Sequence, residues 1–549
     1  MARARRRARR IALIAGASLL AIGAGAWWAS RGPAPGKSAG TTVAVKAPAP
    51  HVVGARGAVV VTAASPTDVE PTEDAVCKGC DVVLITVCSL RRDHVGPWRD
   101  GAPSLTPRLD AVAAEAFRFD RAYAASNFTL AGLTAVLTAR FGSSTGVTGW
   151  DKGLVDGIPT LPEVLGHYGY RTAAFTIDAA SGFRPDYGLD RGFSHMEIIP
   201  PPRLTPDGRL GPDAADEGPG ASAAPAAAWI AAQGADQPIF AMFHSRTAHF
   251  PFVVERPGDD PTGILTGLWE AGQQKRSGGA LPGVAGGTAQ RGVVAPFAQD
   301  PLQTLMDATG EAGARVWRAA YADAVARMDA DIGRVLDAVE ARGRPTVLAI
   351  VADHGESLDD HGELLHGDAY WDSVTRVPLV IQIPGVAAGA TDALVSHVDL
   401  APTLLAAVGA RPPAESDGVS LLPLITGAVT AARETTLVEG GVAWRADPIP
   451  RGAVITSRWA LLRQDRGCGP GGREPPRAPG SPATCLYDLD ADPQQTTNVS
   501  VAHPDVVEEL VRRWDAFRAA RAREGATLNL DPAYVEELRR TGYDFRSGP

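Results

Sequence analysis

Charged residues are few in this 549-residue sequence. Lys, Arg, Asp and Glu together make up 21% of the chain and aromatic residues 6%, whereas Ala, Gly and Pro are abundant. This composition is ordinary for a folded enzyme, and the charge content is too low for a disordered protein. Because the chain is long for one hydrophobic core, we expect a large α/β domain with a smaller companion.

Basic residues are in deficit everywhere except at the amino terminus. The net charge is −9, and six arginines stand within the first ten residues, so the remainder carries 47 basic against 62 acidic side chains. Such an acidic body does not offer the positive surface that nucleic acids require. We therefore expect no nucleic-acid partner.

The segment Ile11–Ser30 contains no charged residue and is long enough to cross a bilayer as a helix. Residues 1–30 are predicted to form a membrane anchor, with a cleaved signal peptide as the alternative. The composition is typical of a GC-rich bacterium, so the anchor would lie in the inner membrane of the cell envelope. The arginines before it direct the body to the periplasm or exterior. Residues 31–76, rich in Pro, Ala and Gly, are predicted to be a linker.

Cysteine occurs only five times. In an exported chain an even subset can form disulfides. Cys468 and Cys485 bracket a Gly/Pro/Arg-rich loop, so a bridge that closes this loop and a pair of free thiols are both open. Cys77 and Cys80 form a lone CxxC pair, either a local disulfide or two thiols. Cys88 is the odd one.

The strongest functional signal is the run Val351-Ala352-Asp353-His354-Gly355-Glu356. It follows an apolar stretch typical of a buried parallel strand, and ligands in open α/β sheets gather at the carboxyl ends of such strands. Further acids and histidines follow within fifteen residues: His361, Glu363, His366 and Asp368. The run predicts a metal-binding turn rather than a solvated acidic loop.

A resemblance to the sulfatase family of the alkaline phosphatase superfamily rests on the stretch DHGESLDDHGELLHG followed by TRVPLVIQIPG. Other landmarks agree in order, among them GYRTAAF, FHSRTAHFPF, VSHVDLAPTLL and CLYDLDADPQQTTN. The resemblance implies an alkaline-phosphatase-like α/β fold over residues 77–427, with a mostly parallel central sheet flanked by helices. It also implies a small carboxyl-terminal α+β subdomain over residues 428–549.

The first departure from the family pattern is Cys88, which follows the predicted core strand Asp81–Val87. The family has a metal-binding Asp at this position. A thiol disfavours calcium and magnesium but tolerates zinc, while the alternative is that Cys88 is simply a buried small residue. The resemblance thus implies one divalent ion held by Asp353 and His354, with Cys88 as a substituted ligand and zinc favoured.

The second departure is at the nucleophile. Sulfatases of the formylglycine type carry Cys or Ser followed by x-Pro-Ser-Arg, whereas this chain has Thr129-Leu130-Ala131-Gly132-Leu133. We therefore expect no formylglycine. Thr129 is similar to the attacking Thr of related phosphotransferases and phosphodiesterases. The alternative is that Thr129 caps a helix beginning near Leu130.

Two histidines are candidates for contacts with the ester. His249 in FHSRTAHFPF matches a family histidine that touches the ester oxygens or protonates the leaving group, and His366 stands close to the metal turn. His244 is a weaker candidate. The phosphate-gripping Lys of the family has no visible counterpart around residues 176–178.

Apolar spacing predicts a helix over residues 314–342, and the Gly-rich residues 254–310 are predicted to be a long insertion near the mouth of the site.

The leading functional hypothesis is a membrane-anchored, metal-dependent hydrolase of sulfate or phosphate-type esters. Its substrate would be an anionic glycan, lipid head group or small molecule. The alternative is a catalytically degenerate sulfatase-like protein that binds an anionic glycan or lipid head group without turnover. The metal turn favours the enzyme, whereas Cys88 and the missing Lys and Pro-Ser-Arg favour the binder.

Overall fold

The computed structural model describes residues 41–43, 75–99, 101–177, 182–199, 220–250, 252, 299–367, 370–440, 451–464, 467–468, 483–528, 530 and 532. The predicted anchor, most of the predicted linker, residues 254–298 of the predicted insertion and Asp368 lie outside these ranges. Within the described ranges, no helix combines the length and the apolar character needed to cross a bilayer. The chain divides into two compact units, residues 1–41 and 42–549, and the account below concerns the second.

The secondary structure alternates strands and helices through most of the chain. The strands are β1 (Thr41–Val43), β2 (Asp81–Val87), β3 (Phe117–Tyr123), β4 (Lys152–Gly153), β5 (Arg171–Ile177), β6 (His195–Ile199), β7 (Ile239–Ser245), β8 (Thr346–Ala352), β9 (Ser357–Asp360), β10 (Glu363–Leu365), β11 (Leu379–Gln382), β12 (Gly389–Ser396), β13 (Thr435–Gly440), β14 (Arg451–Thr456), β15 (Trp459–Gln464), β16 (Ala483–Asp488) and β17 (Ala526–Thr527). The helices are α1 (Pro107–Glu115), α2 (Thr129–Thr138), α3 (Gly142–Thr145), α4 (Leu161–His167), α5 (Ala224–Ala232), α6 (Gln299–Arg342), α7 (Asp372–Thr375), α8 (Leu400–Ala407), α9 (Leu422–Ile425) and α10 (Pro504–Arg521).

The central sheet contains the strand order β6-β5-β7-β2-β8-β11-β3-β12. Seven of these eight strands run in one direction, and β11 runs antiparallel to its neighbours β8 and β3. Helices pack against the sheet, with α6 contacting α1 and α5, and α2 contacting α8. The predicted fold, a mostly parallel sheet flanked by helices, is confirmed.

The three central strands β2, β7 and β8 are buried along nearly their whole length. Their residues are mainly β-branched and aliphatic, which suits a parallel strand covered on both faces. In β2, Val87 lies opposite Ser245 of β7 and Ala352 of β8. The three strands therefore end at the same level.

A second sheet of four antiparallel strands, β13-β14-β15-β16, follows in the chain. Helix α10 covers it, and Leu510 and Trp514 of that helix are buried against Val454 and Leu461. This small sheet with its helix confirms the predicted carboxyl-terminal α+β part. The boundaries at residues 77 and 428 stay predictions.

Residues 299–309, the last part of the predicted insertion, are helical, and the insertion itself stays a prediction. They belong to α6, which includes the predicted helix over residues 314–342 and is interrupted by non-helical backbone at Gly310, with φ 55° and ψ −142°. The sequence signal was weak here because Gly310 interrupts the apolar spacing from which the helix was predicted.

Four of the five cysteines form two disulfides. One joins Cys468 to Cys485, and the other joins Cys77 to Cys80. The sequence left open whether each pair is a disulfide or two free thiols, and both pairs are disulfides. Cys88 is a free thiol and is fully buried.

A buried ion-pair cluster holds the amino-terminal ends of the central strands together. The carboxylate of Asp81, only 1% exposed, contacts Arg342 Nε at 2.6 Å and Arg344 Nε at 3.1 Å. It also accepts a hydrogen bond of 3.0 Å from the backbone N–H of Ile239. Asp81 thus links β2 to β7 and to the segment that enters β8.

Replacing Asp81 with Ala is expected to lower the free energy of unfolding by about 3–5 kcal/mol, because it leaves the buried Arg342 guanidinium without its partner. Urea unfolding of the purified protein measures this. The matched control is Asp337→Ala, which breaks an exposed pair with Arg108 and should change stability little. Equal effects of the two substitutions would contradict the assignment.

Candidate active site

The site lies at the carboxyl ends of β2, β7 and β8. The backbone N–H of Cys88 donates to the carbonyl of Ser245 at 2.8 Å, and that of Asp353 donates to the carbonyl of Val87 at 3.0 Å. These two bonds continue the parallel ladder by one residue. They place the side chains of Cys88 and Asp353 side by side, at the sheet edge where α/β proteins bind ligands.

Thr129 enters the site from the first turn of α2. The N-cap of this helix is Phe128, and Thr129 is the first helical residue. The prediction that Thr129 caps the helix is therefore wrong, because its hydroxyl points to side chains rather than to the helix backbone. The helix also approaches the metal turn closely, since a Cβ at Gly132 would lie 2.8 Å from the carbonyl oxygen of Asp353.

The hydroxyl of Thr129 lies between a thiol and an imidazole. Thr129 Oγ1 is 3.2 Å from Cys88 Sγ and 3.3 Å from His354 Nε2. His354 Nδ1 is 2.8 Å from the carbonyl oxygen of Gly355, which can only accept, so Nδ1 carries the proton. Burial lowers the pKa of His354 to about 4, so the ring is neutral and its Nε2 faces the hydroxyl as an acceptor.

Asp353 is the carboxylate of the site. Its Oδ1 accepts backbone hydrogen bonds from Ser89 at 3.2 Å and from His354 at 2.7 Å. Burial opposes ionisation, but His354 and His244 hold the pKa of Asp353 below its usual value. Conversely, burial and then the Asp353 charge raise the pKa of the Cys88 thiol well above its usual range.

A metal ion fits the donors present. One ligand atom each of Cys88, His244 and Asp353 lies within 4.8 Å of the others, and all three residues are buried. Asp353 Oδ2 and His244 Nε2 are buried with no hydrogen-bond partner among the described residues. Buried polar atoms without partners are uncommon, because each costs free energy unless something binds it. Sulfur, nitrogen and oxygen donors together suit zinc better than calcium or magnesium.

The two predicted ester-contacting histidines lie next to this centre. The ring of His366 is 4.1 Å from that of His354 and 5.1 Å from that of His249. His366 Nδ1 is 3.0 Å from Glu356 Oε1. Arg246 donates from Nη2 to His249 Nε2 at 2.9 Å. All six predicted site residues therefore meet in one place.

Burial sets the protonation of these neighbours. It raises the pKa of Glu356 to about 8 and lowers that of His366 to about 4, so at neutral pH the proton of this pair resides mainly on the glutamic acid. Burial, and then the positive charge of Arg246, lowers the pKa of His249. The site therefore combines the Asp353 carboxylate, neutral imidazoles and the buried guanidinium of Arg246.

Comparison with known proteins identifies the family. Residues 81–410, more than half of the chain, match the family described as Sulfatase. The chain belongs to the sulfatase family. It is 29% identical over 238 residues to choline-sulfatase of Rhizobium meliloti (strain 1021), a match that covers 42% of each chain. The chain thus spans about two fifths of the length of that relative.

Solved structures of sulfatase relatives share the fold. A 2-O GAG sulfatase superposes with a TM-score of 0.61 at 19% identity, covering 86% of this chain and 99% of that one. The phosphonate monoester hydrolase of Agrobacterium radiobacter gives a TM-score of 0.59 at 20% identity, with 80% and 96% covered. The predicted membership in the alkaline phosphatase superfamily is confirmed.

Three site residues of this sulfatase-family chain were missed or undervalued from the sequence. His244 was a weak candidate, and Arg246 and Glu356 had no predicted role. The signal was present, because His244 and Arg246 stand at the end of the apolar run 239–243 and Glu356 ends the metal-turn run. Only the register of β7 against β2 shows that His244 reaches Cys88.

Two of the possible ligands that follow the metal turn in sequence do not join the centre. Residues 357–365 form the antiparallel pair β9 and β10, and Glu363 is the first residue of β10. The ring of His361, at the turn between them, stacks on Trp371 at 3.8 Å. Among the described residues, neither belongs to a cluster that could hold a metal. Closeness in sequence to the metal turn suggested that both residues are ligands. They belong instead to the β9–β10 strand pair and the turn within it.

Asp353→Ala is expected to abolish metal retention by this sulfatase-family protein, because it removes the one anionic donor among the clustered ligands. Plasma mass spectrometry on protein purified without chelator measures the bound metal. The matched control is Asp329→Ala, a buried carboxylate that accepts from the backbone N–H groups of Arg108 and Leu109 and should leave metal content unchanged. Undiminished metal in Asp353→Ala would contradict the site.

Proposed function

We propose that this chain is a metal-dependent hydrolase of sulfate or phosphate-type esters in which Thr129 is the nucleophile. The observation that carries the proposal is the position of the Thr129 hydroxyl, 3.2 Å from Cys88 Sγ and 3.3 Å from His354 Nε2. The family supports it, since relatives include a choline-sulfatase, a 2-O GAG sulfatase and a phosphonate monoester hydrolase. The substrate class is an anionic ester, whether glycan, lipid head group or small molecule.

Thr129 attack requires loss of its proton. His354 Nε2 is the acceptor within reach, and the Nδ1 contact with Gly355 holds the ring in the neutral tautomer that can accept. Thr129 Oγ1 then bonds to the sulfur or phosphorus, and the ester oxygen departs with the electron pair of the broken bond. Thr129 is the first residue of α2, and the amino terminus of a helix favours the anion that develops there.

The leaving group and the non-reacting oxygens need separate contacts. His366, hydrogen-bonded to Glu356, supplies a proton to the departing oxygen, and Glu356 replenishes it. Arg246, which is 8% exposed, contacts the sulfate or phosphate oxygens, and His249 orients its guanidinium, because His249 Nε2 accepts from Arg246 Nη2 while its Nδ1 donates to the Phe250 carbonyl. Water then attacks the sulfur or phosphorus, the bond to Thr129 Oγ1 breaks, and Thr129 regains its proton from His354. The proton of the attacking water returns through His366 to Glu356, and the sulfate or phosphate anion leaves. No formylglycine is needed.

A divalent ion would be held by Asp353 and Cys88 with a histidine, His354 as predicted from the sequence or His244. When bound it would polarise the bond between the ester oxygen and sulfur or phosphorus, as metal ions do in related chemistry.

Binding without turnover is the second candidate function. It is favoured by the buried, protonated thiol of Cys88, which stands where the family has a carboxylate and is a poorer ligand until it loses its proton. The occupant would be an anionic glycan or lipid head group. A protein that binds such anions but hydrolyses none of them would support this candidate.

We further propose that residues 1–30 anchor the chain in the inner membrane of a bacterial envelope, with the body in the periplasm or exterior. The uncharged run after six arginines supports this. The full chain should sediment with membranes and resist alkaline extraction, whereas a chain lacking residues 1–30 should not. Release of both forms into the soluble fraction would contradict an anchor.

Thr129→Ala should reduce turnover of aryl sulfate, phosphate or phosphonate esters by at least about a thousandfold, because the nucleophilic oxygen is lost. A chromogenic ester assay measures this, with metal content and circular dichroism recorded alongside. The matched control is Thr134→Ala in the same helix, whose hydroxyl donates to the Leu130 carbonyl at 2.7 Å and faces no substrate. Retained turnover in Thr129→Ala would refute the nucleophile.

A further inference from the structure

The turn that follows β7 carries the arginine that would contact the ester oxygens. It runs from Ser245 to His249, and the backbone N–H of His249 donates to the carbonyl of Arg246 at 2.9 Å. The two side chains also meet, since Arg246 Nη2 donates to His249 Nε2 at 2.9 Å. Between them in the chain stands Thr247, a polar residue with no part in the proposed chemistry.

Thr247 is bound to a buried carboxylate on α6. Its hydroxyl donates to Asp331 Oδ2 at 2.6 Å, and Asp331 is 2% exposed. The hydroxyl of Ser245 donates in turn to Thr247 Oγ1 at 3.3 Å. Ser245 is the last residue of β7, and its carbonyl accepts from the backbone N–H of Cys88 at 2.8 Å. A chain of hydrogen bonds therefore connects the helix, the turn and the strand end.

Asp331 is itself held by several groups. Burial raises the pKa of its carboxyl, whereas hydrogen bonds from Ser222 and Thr247 and the charges of Arg327 and Arg334 oppose that rise. Both arginines stand on α6 within about one helical turn of Asp331. A buried carboxylate with several donors and cations around it has a fixed position. Asp331 can therefore act as an anchor for the turn to which Thr247 belongs.

The same helix also holds the chain just after the turn. The ring of Trp317 lies 5.4 Å from that of Phe250 and 4.8 Å from that of Phe252. Trp317 and Asp331 are about four helical turns apart on α6, so they lie on the same face of the helix. Helix α6 thus holds the chain on both sides of His249, by an apolar contact on one side and by the Thr247 hydrogen bond on the other.

We propose that Asp331 is a positioning residue that, through Thr247, fixes the Arg246 guanidinium for the sulfate or phosphate oxygens. The assignment rests on the proposed function, in which Arg246 contacts those oxygens. Asp331 itself touches no substrate. An arginine on a backbone that is already held in place loses less conformational entropy when an anion binds, so the anion binds more tightly.

Calorimetry of the purified full chain with inorganic phosphate and with inorganic sulfate tests this assignment, alongside KM and kcat for a chromogenic aryl ester. Asp331→Ala should weaken anion binding by about 10-fold, the size expected for one hydrogen bond to a charged group. KM should rise by a similar factor while kcat stays within about threefold, because Arg246 contacts oxygens that the ester and the transition state share. Thr247→Val should have the same effect, and the double variant should bind no more weakly than either single variant.

Two further variants separate positioning from folding. Asp331→Asn keeps an oxygen that accepts from Thr247, so it should restore anion binding to within about threefold of the wild type. The matched control is Asp329→Ala, since Asp329 is also 2% exposed on α6 but accepts from the backbone N–H groups of Arg108 and Leu109 in α1. This control should lower the stability to urea as Asp331→Ala does and leave anion binding unchanged.

Unchanged anion binding in both Asp331→Ala and Thr247→Val would overturn the assignment. So would equal weakening by Asp329→Ala, binding by Asp331→Asn as weak as that by Asp331→Ala, or a wild type that binds neither anion. Binding and turnover separate this assignment from the proposed hydrolase. A wild type that hydrolyses no ester but loses anion affinity in Asp331→Ala would refute the hydrolase and retain Asp331 as the anchor. Turnover that depends on Thr129, with anion binding unchanged in Asp331→Ala and Thr247→Val, would do the reverse.

Discussion

The parallel ladder of β2, β7 and β8 is the constraint on which the site depends. Because Val87 lies opposite both Ser245 and Ala352, the chain leaves all three strands at one level. Cys88 and Asp353 lie one position beyond that level and His244 one position before it. The three residues are therefore neighbours in space, although more than 100 positions separate them in sequence. At the other end of the same strands, the Asp81 ion-pair cluster prevents them from sliding.

The site also holds buried polar atoms without hydrogen-bond partners among the described residues, as do some positions outside it. Burial removes the polar groups of the site from water. This burial is the largest single cause of the pKa shifts of His354, His366 and Glu356. Asp353 Oδ2 and His244 Nε2 are buried and have no hydrogen-bond partner in the described part of the chain, and such atoms carry a free-energy cost that a bound group offsets. The arrangement is therefore more consistent with a binding centre than with core packing.

Much of the fold could be predicted, because the central strands are uninterrupted apolar runs and the family landmarks occur in order. The chemistry at Asp353, His354, Cys88 and Thr129 followed from motif positions. The predictions that failed depended on the position of an element to within one residue. Whether Thr129 is the N-cap or the first helical residue decides where its hydroxyl points, and one step of strand register decides whether His244 reaches Cys88. Spacing alone likewise left the disulfide pairs open.

Strand β2 has a second consequence, for the redox chemistry of the chain. It separates Cys80, which is oxidised, from Cys88, which is not. A disulfide needs its Cα atoms within about 7 Å, whereas an extended strand of this length holds the two residues roughly 26 Å apart. The strand therefore keeps Cys88 too far from Cys80 for these two cysteines to form a disulfide. Once β2 has formed, an oxidising compartment can close the CxxC bridge while leaving the fifth sulfur reduced.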